Sequence, residues 1–522
     1  MMEDDTLEMI ENRYRTGEPE KFLLHFFRGR WIYIVYCPLL ILCCYGFSPV
    51  IRFYSTDSAV FYCMGKAMSR GVVVYRDIFD HKGIWLYFFN CIGAYFDRVL
   101  PGWGMYIVEI LLQLLAVFVL DQLFGFFIHK ADARTITVCL FWGFSLNYFT
   151  YGAGNLTESY ALVFQLVSSL FIVRYYLSGE IEHPSSYMLI HGFCSGICLF
   201  LRMNLTAMWI PFGIALAIRL LKNGRWNCFF RNLACLMLGI MAASFFPLVY
   251  CLHNHCLEDM LFCSFFFNIS YLNEGGSLQN LLRGVFLSGA SIVIYLSLAS
   301  LFLVITVKRL TSDFRWMYVF DFLFTTMITF MGMRSYGHYF HTLLPFALPA
   351  FIGIGVLLQN LEQNRTRRKN SFAVLLLICM FLTLAGNLRM TIRYLPIDTE
   401  YKHLEAILEK TTQRIEENTE DTALLSTENL MQAYVITGKD PETKYPYIPA
   451  VQTEVFPEPV ETMYGDILSG EYKYIFGMHY HDGYWNVLAM GRNEEINDYI
   501  KRNYTAVFVD DQYSFVLFER NT

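Results

Sequence analysis

Apolar residues follow one another along most of this chain in runs of roughly 20, each separated from the next by a short polar segment. A helix of about 20 apolar residues is long enough to cross the roughly 30 Å hydrocarbon core of a bilayer. The pattern therefore predicts about eleven spanning helices between residues 31 and 390. They are residues 31–50, 104–127, 136–151, 157–177, 187–201, 203–221, 232–252, 284–306, 315–331, 339–360 and 371–389.

The long loop after the first span, residues 51–103, contains two shorter apolar segments. Residues 58–69 repeat apolar side chains at helical spacing and are followed by Gly71, which is typical of a helix end. Residues 84–97 are rich in aromatic side chains but too short to cross the bilayer. Both segments are predicted to be helices at the membrane surface, because amphipathic and aromatic segments favour the interface.

Residues 391–522 mix polar and apolar positions without another spanning run, which predicts a small soluble α/β domain. An amphipathic helix is expected at 400–418, where apolar residues recur among charges. The segment Tyr445-Pro-Tyr-Ile-Pro449 is expected to pack internally, with contact to the membrane or a substrate as the alternative. Strands are predicted at 422–426, 472–476, 505–509 and 515–518, the last two as a hairpin.

Basic residues mark the cytoplasmic side of a membrane protein. Residues 1–30 and the segment Arg365-Thr-Arg-Arg-Lys369 are rich in them, so we place both inside and residues 391–522 outside. Only 16% of the residues are charged, compared with about 25% in soluble proteins. The predicted fold class is a polytopic α-helical membrane protein with interfacial helices in its first outer loop. Its transmembrane domain, residues 31–390, precedes an extracytoplasmic α/β domain.

This threading places the polar loops on one face of the membrane, the outer face. Ionisable side chains are costly near a bilayer and usually mark a functional site, so one site built from several loops is the simplest interpretation. Ordinary roles are the alternatives: a helix N-cap for Asp57, snorkelling for Arg202, and surface salt bridges for Asp77, Asp80 and Lys82. The loops are residues 51–83, 152–158, 202–204, 253–259 and 334–341.

Two motifs in the first loop resemble the GT-C superfamily of membrane glycosyltransferases. They are Thr56-Asp-Ser-Ala-Val-Phe61 and Tyr75-Arg-Asp-Ile-Phe-Asp-His-Lys-Gly83. The nearest pattern is that of the bacterial branch with the lipid A aminoarabinose transferase and the protein O-mannosyltransferases. Gly154-Asn-Leu-Thr-Glu158 and the segment from Gly337 to Pro345 are similar to that branch as well. The resemblance implies a glycosyltransferase in a bacterial plasma membrane.

The resemblance also implies a polyprenyl-phosphate sugar donor, inversion at the anomeric carbon, and a glycan, lipid or protein acceptor outside. Asp57 would be the general base, and Lys82 would hold the donor phosphate. Basic side chains suit phosphate, so Arg202, Arg334 and His338 are further phosphate ligands by this interpretation. The residues expected to bind substrate or to support these groups are Arg76, Asp77, Asp80, His81, Asn155, Glu158 and Tyr336.

Some members of the superfamily carry two adjacent acids where this chain has Asp57-Ser58, which leaves metal dependence open. The prediction requires no cofactor, and a weak Mg²⁺ or Mn²⁺ site at Asp57, Asp80 and Glu158 is the alternative. The rival functions are a transporter or flippase of lipid-linked glycans and a glycan polymerase or ligase. The net charge of −6 is small for this length and gives no reason to expect a nucleic acid partner.

Overall fold

The computed structural model forms a large helical domain followed by a small domain with a four-stranded sheet. The predicted fold class is therefore confirmed, with helices first and an α/β unit at the C-terminal end. The residues that the structure describes are 31–272, 276–307, 310–363, 378, 380–388, 400–418, 422–427, 429–449, 455–478, 494–510 and 512–521.

Each predicted span up to residues 339–360 coincides with helical structure, and the last one, 371–389, is described at 378 and 380–388, where it is helical. Turns of 3₁₀ type at Met203–Thr206, Gly289–Ser291 and Gly337–Ala347 precede three of the helices. The helices of this domain are α1 (Trp31–Cys44), α2 (Thr56–Ser69), α3 (Ile84–Asp97), α4 (Gly104–Gly125), α5 (Ala131–Ser145), α6 (Tyr148–Tyr151), α7 (Thr157–Ser178), α8 (Ser185–Leu199), α9 (Trp209–Lys222), α10 (Trp226–His253), α11 (Leu257–Leu261), α12 (Phe267–Leu272), α13 (Leu278–Leu287), α14 (Ile292–Thr306), α15 (Ser312–Thr329) and α16 (Leu348–Gln363).

Long apolar helices make the chain an integral membrane protein. Among the described residues, six helical segments are long and apolar enough to cross a bilayer, and two further apolar helices, α1 and α8, are shorter. A span of 22 residues such as α4 rises about 33 Å, which matches the hydrocarbon thickness. The six segments are Gly104–Gly125, Thr157–Ser178, Met203–Lys222, Trp226–His253, Gly289–Thr306 and Gly337–Asn360.

The two short helices of the first loop form as the sequence predicts. The Ser55 side chain caps α2 by accepting a hydrogen bond from the Ser58 N–H, so the expectation that Asp57 is the N-cap is wrong. Beyond its end, Gly71 adopts a left-handed φ of 92°, which a glycine reaches without strain. Helix α2 packs closely along α3, because Gly65 has no side chain. A Cβ at this position would lie 2.6 Å from the Asn90 backbone.

The C-terminal domain contains a four-stranded sheet of order β1-β2-β4-β3. The first two strands are parallel, and the last two form the predicted antiparallel hairpin with β4 next to β2. Strands and helices begin within a few residues of their predicted positions, and the helix expected at 400–418 is present. The elements are α17 (Glu400–Glu417), β1 (Leu424–Ser426), α18 (Gln432–Thr437), α19 (Glu458–Ser469), β2 (Tyr474–Met478), α20 (Glu494–Asn503), β3 (Tyr504–Val509) and β4 (Phe515–Arg520).

The two faces of this sheet belong to different cores. Ile475 and Val516 point to one face and pack with α19 and α20 in a core confined to this domain. Tyr474, Phe476 and Leu517 alternate with them and join a core that continues into the first loop. The C-terminal domain is therefore attached to the helical domain by apolar packing, and one of its segments reaches the site described next.

Candidate active site

Several loops meet at the end of the helical domain that carries the C-terminal domain, and they enclose a cavity of about 280 Å³. The predicted polar loops at 51–83, 152–158, 202–204 and 334–341 all contribute to it or border it. Asp57 and Lys82 share this cavity, as a single site requires. Its lining is Thr56, Asp57, Val60, Phe61, Asp80, His81, Lys82, Leu156, Thr157, Glu158, Arg202, Tyr336, His338, Tyr339, Asn429, Tyr447, Ile448 and Pro449.

Asp57 forms one wall of the cavity from the first turn of α2. Because Ser55 already caps the helix, the Asp57 carboxylate is not needed for capping. The side chain is exposed, and no residue in the described ranges forms a hydrogen bond or ion pair with it. Helix N-terminal dipoles favour a negative charge at this position. The Asp57 side chain is thus held in place by its helix and open to the cavity.

Asp80 also lines the cavity, and it is buried to 1% exposure. Its Oδ1 accepts hydrogen bonds from the Tyr447 hydroxyl at 2.5 Å and from the His81 backbone N–H at 2.7 Å. Its Oδ2 accepts from the Tyr87 hydroxyl at 2.7 Å. Burial raises the pKa of Asp80, while the Lys82 charge and these donors oppose that rise. The expected surface salt bridge is therefore wrong, because this carboxylate is a buried acceptor of three donors.

Lys82 is held through both its backbone and its ammonium group. Its N–H donates to the Tyr87 hydroxyl at 3.0 Å, and its carbonyl accepts from the Tyr75 hydroxyl at 2.9 Å. Its Nζ lies 2.6 Å from His81 Nε2. Burial lowers the pKa of Lys82 and the Arg202 charge lowers it further. A cation in these surroundings gains strongly from an anion placed beside it.

A close backbone contact brings Lys82 to Arg202. The Gly83 N–H donates to the Leu201 carbonyl at 3.0 Å, and the Trp85 N–H donates to the Phe200 carbonyl at 3.1 Å. A Cβ on Gly83 would lie 2.0 Å from that Phe200 oxygen, so only glycine allows the approach. The end of the first loop is thus tied to the turn after α8 that carries Arg202.

Arg202 is the second strong cation of the cavity. Its Nη1 lies 2.8 Å from Glu158 Oε1, and its Nη2 donates to the Tyr339 hydroxyl at 2.9 Å. The other Glu158 oxygen accepts from the Thr157 hydroxyl at 2.8 Å. The expectation that Arg202 merely snorkels is wrong, because its guanidinium is anchored at the cavity wall by a carboxylate and a tyrosine.

His338 and Tyr336 line the cavity from the segment before α16. Their rings are stacked with centroids 5.7 Å apart, and His338 also contacts the Tyr339 ring edge-on at 4.9 Å. Arg334 does not line the cavity. Burial is the largest cause that lowers the pKa of His81, and the charge of Arg334 lowers it further. It therefore contributes to the positive potential of the site without lining the cavity.

Three of the residues expected to support the site lie elsewhere. Arg76 and Asp77 form an exposed ion pair at 2.7 Å, and Arg76 also donates to the Asn254 carbonyl. Asn155 is fully buried and binds Asn90 and the Ser58 carbonyl, so it joins α2, α3 and the start of α7. Its role is to fix the wall that carries Asp57 relative to α7.

The C-terminal domain contributes to the cavity through a segment that sequence reasoning expected mainly to pack internally. Tyr447, Ile448 and Pro449 line the cavity together with Asn429, whose side-chain oxygen accepts the Ile448 N–H at 2.7 Å. Internal packing of this segment is only part of its role, since Tyr447 also bonds Asp80. The aromatic, proline-rich composition of this segment was the available signal, but composition does not reveal a partner 367 positions away in sequence.

The candidate divalent site does not fit the side chains present. Both oxygens of Asp80 and both of Glu158 are already occupied by protein donors, and only Asp57 is open. No group of three or more His, Cys, Asp or Glu in the described part of the chain is arranged to hold a metal ion.

A larger cavity of about 660 Å³ lies at the opposite ends of α4, α7 and α14. Apolar side chains such as Phe127, Ile172 and Val304 form most of its lining. Its size does not make it the reactive site, because its described lining residues include no lysine or arginine and only one buried acid, Asp321. The smaller cavity has the acidic and basic groups that group transfer needs.

Known structures share this architecture over nearly the whole chain. No protein-family model matches the sequence, and no curated protein matches it significantly. Two solved structures of ArnT from Cupriavidus metallidurans match it, one bound to undecaprenyl phosphate and one in the apo state. Each match has a TM-score of 0.58 and 12% identity, and covers 96% of this chain and 98% of the other. The chain thus has the same fold as ArnT, which confirms the resemblance at the level of fold.

Proposed function

We propose that this protein is an inverting glycosyltransferase that moves a sugar from a polyprenyl-phosphate donor to a hydroxyl acceptor. The observation that carries the proposal is the cavity shared by the open Asp57 carboxylate and the cations Lys82 and Arg202. Transfer from a lipid phosphate needs a base at one side of the sugar and positive charge at the other. The ArnT structure bound to undecaprenyl phosphate supports this class of donor.

Asp57 acts on the acceptor. The acceptor hydroxyl attacks the anomeric carbon while its proton passes to the Asp57 carboxylate. A positioned general base contributes typically about 10²–10⁴-fold to such a step. A base must have a lone pair free for the proton, and the exposed Asp57 satisfies this better than Asp80 or Glu158, whose oxygens are occupied. Attack from the face opposite the leaving group inverts the anomeric configuration.

Lys82 and Arg202 act on the leaving group. As the bond between the anomeric carbon and the phosphate oxygen breaks, its electron pair stays on that oxygen and the lipid phosphate gains a negative charge. The Lys82 ammonium is a compact charge in a buried wall, where Coulomb interactions are stronger than in water. Arg202 lines the same cavity as a second cation, with Tyr339 fixing the guanidinium plane.

The size of the cavity limits what enters it. At about 280 Å³ it lies just below the usual range of about 300–1,000 Å³ for small-molecule sites. It therefore receives the reacting sugar and phosphate, while the polyprenyl chain stays in the bilayer. The site lies beside the C-terminal domain, which we place outside the cytoplasm by the distribution of basic residues. The proposed location is therefore the outer face of a bacterial plasma membrane.

The test uses the full chain in lipid nanodiscs with undecaprenyl-phosphate sugars of different types, hexoses and pentoses, and a panel of hydroxyl acceptors. We expect one donor to be consumed only when an acceptor is present, with release of undecaprenyl phosphate and an inverted linkage in the product. A flippase would instead move the intact donor between leaflets of proteoliposomes. Movement without cleavage, or failure to bind undecaprenyl phosphate, would overturn the proposal.

A further inference from the structure

The Tyr447 hydroxyl connects the C-terminal domain to the residue next to the phosphate-binding lysine. Tyr447 Oη donates to Asp80 Oδ1 at 2.5 Å and also lies 3.3 Å from His81 Nδ1. Burial and the Asp80 charge raise the pKa of Tyr447, so this group remains a hydroxyl and a donor. One side chain of the C-terminal domain thus contacts two consecutive residues of the first loop.

The chemistry of the two groups decides which is the donor and which the acceptor between Lys82 and His81. An ammonium group only donates, so His81 Nε2 must accept from Lys82 Nζ across their 2.6 Å contact. Burial lowers the pKa of His81 well below its usual value, so the ring is neutral and carries its proton on Nδ1. That nitrogen faces Asp80 Oδ1 at 3.4 Å. The order Tyr447, Asp80, His81, Lys82 therefore forms one connected chain of polar groups.

Two contacts with the first loop fix the segment that carries Tyr447. The Phe79 N–H donates to the Lys444 carbonyl at 2.7 Å, which joins the two backbones directly. The Tyr445 ring packs against Phe79 with centroids 5.2 Å apart. These contacts hold the Tyr447 hydroxyl at Asp80 without a contribution from the catalytic side chains.

We propose that Tyr447 is a positioning residue through which docking of the C-terminal domain sets the orientation of Lys82 for the donor phosphate. It rests on the proposed function, because it requires Lys82 to bind phosphate. Loss of the hydroxyl leaves Asp80 with one donor fewer, lets the carboxylate and the imidazole turn, and releases Lys82 from a single orientation. The C-terminal domain then takes part in donor binding as well as in packing.

The experiment measures binding of undecaprenyl phosphate to the full chain in nanodiscs. We expect Tyr447→Phe to weaken binding about tenfold, the size of one lost charge-assisted hydrogen bond. The matched control is Tyr445→Phe, two positions before Tyr447. It removes a hydroxyl that forms no hydrogen bond with a described residue. The control should bind like the unmodified protein, and the melting temperatures of both variants report folding.

A double-mutant cycle separates positioning from a general structural effect. In the Lys82→Ala background, Tyr447→Phe should cause no further loss of undecaprenyl phosphate binding, because the group it orients is absent. An equal loss in both backgrounds, or unchanged binding in Tyr447→Phe alone, would overturn the inference. If the unmodified protein fails to bind undecaprenyl phosphate at all, the proposed function itself is wrong. The two failures are therefore distinguishable.

Discussion

Two walls of the cavity each carry an aspartate, and the two aspartates have opposite surroundings. Asp57 stands on the first turn of α2, exposed and without a hydrogen-bond partner in the described residues. Asp80 is buried, and three donors from Tyr447, Tyr87 and the His81 backbone occupy its oxygens. The same functional group is therefore an open proton acceptor on one wall and part of a fixed framework on the other.

The difference shows which property makes a carboxylate available for catalysis. A base needs an unoccupied lone pair near the substrate, whereas a positioning group is held by donors to both of its oxygens. Burial alone would favour Asp80 as the functional acid, because perturbed groups often mark active sites. Hydrogen-bond occupancy reverses that choice. Variants of the two walls test whether Asp57 is the base while Asp80 positions its neighbours.

The largest effect is expected from Asp57→Asn. Removal of the base should lower kcat by about 10²–10⁴-fold while undecaprenyl phosphate binding is retained. The matched control is Asp313→Asn, because Asp313 is also the second residue of a helix, α15, after a capping Thr311. Both variants lose a similar favourable interaction with the helix dipole, about 0.3–1 kcal/mol. Steady-state kinetics should show the loss of turnover in Asp57→Asn only, and equal losses would contradict the assignment.

The next largest effect is expected from Lys82→Ala. Loss of this half-buried cation should weaken binding of undecaprenyl phosphate by about 10–100-fold, as for a lost hydrogen bond to a charged group. Lys222→Ala removes an exposed lysine at the end of α9, far from the cavity lining, and should leave the affinity unchanged. A change confined to the affinity for the acceptor would show that Lys82 does not hold the phosphate.

Gly83→Ala tests how the second wall is joined to Arg202. The new methyl group would overlap the Phe200 carbonyl, so the loop must move and the free energy of unfolding should fall by about 1–3 kcal/mol. Donor affinity should fall with it, because Lys82 moves away from Arg202. Gly213→Ala, a helical glycine with no atom near its added Cβ, is the control. Thermal unfolding in detergent and undecaprenyl phosphate titration measure the two effects.

The smallest effect is expected from pH. Burial lowers the pKa of Lys82, so the ammonium form that binds phosphate is lost as pH rises through a value below the usual pKa of about 10.4. Undecaprenyl phosphate affinity should therefore decline in that alkaline range, where the phosphate itself no longer titrates. In Lys82→Arg the decline should move to higher pH, because guanidinium stays protonated. An identical decline in both proteins would assign it to another group.

The elements that local sequence patterns specify were predictable. Helix α2 has its apolar residues at helical spacing and Gly71 beyond its end, and the hairpin of β3 and β4 follows from two apolar runs around a turn. The motif residues Asp57 and Lys82 were also identified, and the structure places both at the cavity. These features can be predicted without knowledge of the fold, because each depends on a pattern that extends over only a few residues.

Other features depend on contacts between distant parts of the chain. Tyr447 looked like a packing residue until its hydroxyl was found at Asp80. Asn155 was expected to bind substrate or to support the site because of its motif, and its contacts with Asn90 and the α2 backbone are supporting ones. Neither could be recognised from composition, since the environment of a side chain is set by residues that are remote in sequence.

The sequence by itself determined that this chain inserts into a membrane, where its helices lie and which acids and bases are available. It could do so because hydrophobic length and helical period are local properties. Only the tertiary structure decided which carboxylate is open and which is occupied, because donors come from other loops and from the C-terminal domain. A carboxylate has the same chemistry everywhere in a sequence, but its hydrogen-bond partners and its burial exist only in the folded protein.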